Sequence, residues 1–139
     1  MNLDLANSLI AAALEYRHAK GLRPLTIAII DAGGHLVALQ REDGSSNLRA
    51  EIAQGKAKGA VAMGLGSRAL FNRAQEQAYF INAMNALNGG SLVPVPGGVL
   101  IKRDGALVGA MGITGDTSDN DEACAVAAIE AQGLVAETG

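Results

Sequence analysis

The sequence predicts an α+β domain built on a mainly antiparallel sheet, and three observations carry that prediction. Residues 25–43, LTIAIIDAGGHLVALQRED, join an uncharged, β-branched run to a second strand through Asp31-Ala32-Gly33-Gly34, a turn string that reverses the chain. Asp104-Gly105, two residues that tolerate positive φ, separates residues 99–103 from 106–114 and signals a second hairpin. Helical periodicity before, between and after these hairpins supplies layers to cover the sheet, and no βαβ phosphate unit is present.

Residues 2–20 place Leu3, Ala6, Leu9 or Ile10, and Ala13 at helical spacing, with Asp4 near the start and Arg17, His18 and Lys20 near the end, as the helix dipole favours. Gly21 ends this helix and Pro24 keeps it from resuming. The run from Leu25 to Ile30 carries no charge, which fits a strand in the middle of the sheet. After the hairpin, Ser46 or Asn47 can cap a helix over residues 48–63. Within it Gly55 and Gly59 lie four apart, and Ala62 and Gly66 extend the small-residue stripe. Each helical glycine costs about 1 kcal/mol relative to alanine, so a close approach must compensate. Gly64 and Gly66 interrupt, and Ser67 reads as the cap of one or two shorter helices over 68–87. Residues 88–98, NGGSLVPVPGG, form a long loop of the kind that carries function. The acidic TSDNDE string then opens an alanine-rich helix expected over 122–137.

A chain of 139 residues fits one domain, 1–139, with a single core. Lys and Arg total 11 against 14 Asp and Glu, a net charge of -3, so no basic surplus exists to hold nucleic acid. No apolar run approaches the ~20 residues that span a bilayer, and the single cysteine, Cys124, with no signal-peptide pattern at the N-terminus, points to a reduced, cytoplasmic protein. With 49% hydrophobic and only 18% charged residues, a homo-oligomer is expected, burying the small-residue stripe or a sheet edge between subunits.

The two Gly-Gly pairs belong to no phosphate-loop string; turn geometry explains Gly33-Gly34, whereas Gly97-Gly98 ends the long loop, where bare N–H groups can hold a carboxylate. His18 and His35 lack the spaced partners of a structural zinc site. Cys124, in an alanine-rich helix, reads as buried and not nucleophilic, and no catalytic triad is legible. The best constellation is Arg41 and Asp43 at the end of the second strand with Lys56 on the next helix: two cations facing an anionic ligand, Asp43 orienting Arg41 and Gly97-Gly98 adding donors. The plain alternative is a surface ion pair. Asp121 and Glu122 are explained by the dipole of the last helix.

DAGGHLVALQREDG at 31–44, IAQGKAKGA at 52–60 and PGGVLIKRDGALVGAMGITGDTSDNDEACA at 96–125 resemble the GlcG/HbpS family, which includes the C-terminal domain of PduO-type cobalamin adenosyltransferases. The likeness spans nearly the whole chain. It implies a profilin-like α/β/α arrangement, homo-oligomeric assembly and a small-molecule ligand. Haem or a related tetrapyrrole is the ligand the resemblance implies, with His18 and His35 the positions that can be mapped as iron ligands. It leaves open an enzyme acting on a small carboxylated or keto acid, held by Arg41, Lys56 and the Gly97-Gly98 loop, and a non-enzymatic accessory protein.

Overall fold

The computed structural model describes residues 1–139. The chain runs α1 (Leu3–Lys20), β1 (Thr26–Asp31), β2 (Leu36–Arg41), α2 (Arg49–Met63), α3 (Ser67–Glu76), α4 (Ala78–Leu87), β3 (Gly98–Arg103), β4 (Ala106–Thr114), α5 (Ser118–Ala131) and β5 (Val135–Glu137). The five strands form one sheet in the order β2-β1-β4-β3-β5, and every neighbouring pair is antiparallel. This is the α+β architecture the two hairpins predict, with β1, the uncharged strand, paired on both sides.

Strand alternation divides the side chains between two layers. Ile27, Ile29, Val99, Ile101, Met111 and Ile113 meet Leu9, Ile10 and Ala13 of α1 and Ala125 and Ile129 of α5. On the other face Ile30, Leu100 and Ala110 meet Ala57 and Ala60 of α2. That second contact is unusually close because both surfaces are small. A Cβ on Gly112 of β4 would run into the Ala53 carbonyl, and one on Gly98 of β3 into the Lys56 carbonyl. Helix α2 therefore lies backbone against backbone on the sheet, which fixes where its side chains emerge.

The glycine stripe of α2 has its compensation inside the chain. A Cβ on Gly55 would lie 2.5 Å from Val93 Cγ2, and one on Gly59 would lie 3.0 Å from Leu92 Cγ. The long loop thus covers Gly55 and Gly59, whereas Ala62, further along the stripe, stays exposed. Two further expectations change in detail, and the alternative of one or two helices over 68–87 is decided in favour of two. Ser67 is the first residue of α3, Gly66 holding the cap position, and its Oγ accepts a 2.6 Å hydrogen bond from Gly98 N–H. Gln77, at φ -135°, divides α3 from α4. The last helix begins at Ser118, where Thr117 Oγ1 accepts from Asn120 N–H, and ends near Gly133, whose φ of 69° turns the chain. Residues expected to be helical then pair with β3 as the edge strand β5, Ile101 opposite Ala136. Three residues are too few to show a strand's alternation in sequence. No helix is long and apolar enough to cross a membrane.

Candidate functional site

The close seating of α2 dictates the most unusual side chain in the protein. Ala53, Lys56, Ala57 and Ala60 share the helix face turned to the sheet, so Lys56 is buried among small residues and is only 2% exposed. Its ammonium donates to the Ile113 carbonyl at 2.8 Å and to Asp121 Oδ2 at 3.0 Å. Asp121, 1% exposed, also accepts at Oδ1 from Asp116 N–H at 3.0 Å. Gly97 makes room for this pair: a Cβ there would lie 2.9 Å from Lys56 Nζ. Burial lowers the Lys56 pKa and raises that of Asp121, each partly offset by the charge of the other.

Beside the pair, a cavity of about 260 Å³ opens between α2, Val93 and Val95 of the long loop, and the start of α5. Arg49, Lys56, Thr114 and Ser118 line its polar side, and Ile52, Val93 and Val95 its apolar side. Arg49, half-buried, donates to Thr114 Oγ1 at 2.6 Å and forms no ion pair with any carboxylate. Asp116, also in the lining, is already engaged: it accepts from Arg23 N–H, Thr117 N–H and Asn120 Nδ2, and lies 3.5 Å from Arg23 Nε. These contacts hold its carboxyl well below the ordinary range. A larger hollow of about 340 Å³ adjoins across Ile52 and Val93 and is bounded by Glu51, Lys58 and the Gly89-Gly90 turn.

Of the residues expected to form one site, the structure brings together Lys56, Gly97 and Gly98. The donor expected of Gly98 is taken by Ser67, so it is not bare. Arg41 stands at the end of β2, exposed, with Nη1 donating to the Ser45 carbonyl at 2.5 Å. No ion pair joins it to the exposed Asp43; the carboxylate that organises this corner is Glu42, which accepts from Leu25 N–H and faces Arg17 at 3.3 Å. The arginine beside Lys56 is Arg49, one of three residues, with Thr114 and Asp121, that the sequence reading missed. The stripe Asp121, Cys124, Ala125, Ala128 was visible as an inward face, and its one acidic member is the signal that identifies a buried partner for Lys56.

The two histidines differ as potential iron ligands. They sit at opposite ends of β1, His18 near Glu42 at 4.0 Å and His35 in the hairpin turn, so roughly 20 Å of strand separates them. His35 Nδ1 lies 3.2 Å from Asp31 Oδ1. A proton held there leaves the Nε2 lone pair free, the arrangement a ligating imidazole uses. His18 Nδ1 lies 3.0 Å from Arg17 Nη1, which can only donate, so neutral His18 carries its proton on Nε2. The chemistry of the donor set therefore fits His35 better than His18. Cys124 is buried, its Sγ donates to the Ala13 carbonyl, and burial pushes the thiol up to about 12.

Comparison with known proteins locates this arrangement. Residues 1–130 match the family model described as haem degrading protein HbpS-like. The chain is 33% identical over 114 residues to protein GlcG of Escherichia coli, covering 82% of this chain and 81% of GlcG. It is 32% identical over 108 residues to the corrinoid adenosyltransferase PduO of Salmonella typhimurium, of which it spans 32%. Among solved structures, it superposes on a PduOC:haem complex with a TM-score of 0.86 at 28% identity, covering 96% of both chains. A crystal structure of HbpS gives a TM-score of 0.80 at 26% identity, with 94% of this chain and 89% of that one covered.

Proposed function

This chain belongs to the HbpS-like family, and from that premise we propose that it is a small-molecule-binding protein whose ligand is haem or a related tetrapyrrole. The observation that carries the reading is the likeness, across 96% of both chains, to a domain crystallised with haem. When bound, haem would supply an iron that a protein imidazole can ligate. In this chain His35 is the residue that would hold it, with Asp31 orienting the ring through Nδ1. Asp31 remains an anion in that role, because N–H groups of His35 and Gly33 hold its carboxyl below the ordinary value. His35 is 81% exposed, and the neighbouring Leu36 would offer apolar surface to a ligand held there. Cytoplasmic location and homo-oligomeric assembly belong to the same proposal.

Hemin titration tests it. The expected result is a saturable Soret shift that weakens at least tenfold in His35→Ala and is little changed in His18→Ala. A spectrum indistinguishable from hemin mixed with an inert protein would remove the haem reading. Loss in His18→Ala alone would move the ligand to the other end of the strand.

A further inference from the structure

We propose that the cavity beside the Lys56–Asp121 pair is a second, separate binding site, for a compact organic monocarboxylate held by Arg49. The charge balance leads there. Lys56 is neutralised by Asp121 at 3.0 Å, and Asp116 is matched by Arg23, which stands outside the lining, at 3.5 Å. Arg49 forms no ion pair: its one side-chain partner is the neutral hydroxyl of Thr114, and Asp121 feels its charge only at a distance. A guanidinium has five N–H donors in a planar fork, so four remain for a ligand, in the geometry that suits a carboxylate. A single unpaired guanidinium suits a monoanion.

The remaining wall sets the rest of the ligand. Ile52, Val93 and Val95 contribute apolar lining to the same cavity, giving a short hydrocarbon chain somewhere to lie. At about 260 Å³ the space beside Arg49 is below the roughly 300–1,000 Å³ of pockets for drug-sized molecules, which suits a short-chain acid. Lys56 uses two of its three N–H groups on Ile113 and Asp121, leaving one donor on a residue that lines the cavity. The site does not rest on the haem reading, since it shares no residue with the His35 turn.

Butyrate is the probe, with inorganic phosphate and chloride at matched ionic strength beside it. Saturable thermal stabilisation of the wild type by butyrate is expected, and little by phosphate, which makes no use of the apolar wall. Arg49→Gln should weaken butyrate binding at least tenfold while leaving the hemin titration unchanged. Val95→Phe fills the cavity without touching Arg49 and should do the same. Lys20→Gln, on the exposed end of α1, should bind like the wild type. Equal butyrate binding by Arg49→Gln or Val95→Phe, phosphate binding as tight as butyrate, or no saturable binding by the wild type would each overturn the proposal.

Discussion

Lys56 Nζ lies 3.0 Å from Asp121 Oδ2, and the two side chains are each 2% exposed. The pair joins α2 on one face of the sheet to the start of α5, which packs on the other, passing the end of β4 through the Ile113 carbonyl. Such a pair gains little over an apolar replacement, because desolvation offsets most of the attraction, yet removing one partner strands a buried charge.

Lys56→Met should therefore cost about 3–5 kcal/mol of stability. The double change Lys56→Met with Asp121→Leu should recover a substantial part of that loss. Urea denaturation of the four proteins gives the coupling directly. Independent, additive effects would show that the two charges do not act as a pair. The surface ion pair that stood as the plain alternative for Lys56 is thus replaced by a buried one.

Much of the fold was legible because its elements are locally consistent. Asp104 and Gly105 adopt φ of 52° and 78°, as their identities suggest, and Asn2 and Gly21 bracket α1 with a side-chain cap and a left-handed turn. The site was legible only in part. Lys56 and Gly97-Gly98 do lie together, but Arg41 stands apart from them and Arg49 lines the cavity, because sequence spacing does not say which of two nearby arginines lies beyond a turn and which stands on the helix that carries Lys56. Asp121 was missed for a different reason. Acidic residues in a first helical turn have a sufficient local explanation, and only its position on the stripe with Cys124 and Ala128 separates it from Asp119 and Glu122. The strand β5 was hidden by its length.

The glycine that sets the depth of α2 gives a second prediction. Gly112→Ala puts a Cβ into the Ala53 carbonyl, a backbone atom that can move only by lifting the helix. A loss of about 3 kcal/mol or more is expected. Gly34→Ala, with open space around it but φ of 85°, should cost only about 1–2 kcal/mol. If thermal melts rank the two in the reverse order, close packing of α2 on β4 is not what fixes the layer spacing.

Cys124 makes a third. Burial raises its thiol to about 12 and its Sγ donates to Ala13 within the α1–α5 layer, so no thiolate is available in the folded state at neutral pH. An aromatic disulfide reagent should react only as fast as the protein opens, with the rate climbing sharply across the urea transition. Rapid stoichiometric reaction in native buffer would contradict the packing of α1 on α5.

The last prediction concerns acid. Asp116 links the segment before β1 to the first turn of α5, accepting from Arg23 N–H at 2.8 Å, from Asn120 Nδ2 at 2.7 Å and from Thr117 N–H at 2.8 Å. Those donors, the Arg23 N–H foremost, hold its pKa below the ordinary value of 3.8. A carboxylate whose folded pKa is depressed contributes stability that is fully present above the unfolded value and is lost as pH falls through the folded one. Asp116→Asn keeps the size but replaces one acceptor oxygen with an NH2 group that faces donors, so a loss of about 1–3 kcal/mol is expected near neutral pH. The sign then sets the pH dependence: the wild type should lose its advantage progressively below pH 3.8 as Asp116 becomes protonated. Measured by urea denaturation between about pH 5 and pH 2, the gap between wild type and Asp116→Asn should shrink. A gap that stays constant over that range would mean that the carboxylate's charge contributes nothing, and that Asp116 holds α5 to the β1 entrance by shape alone.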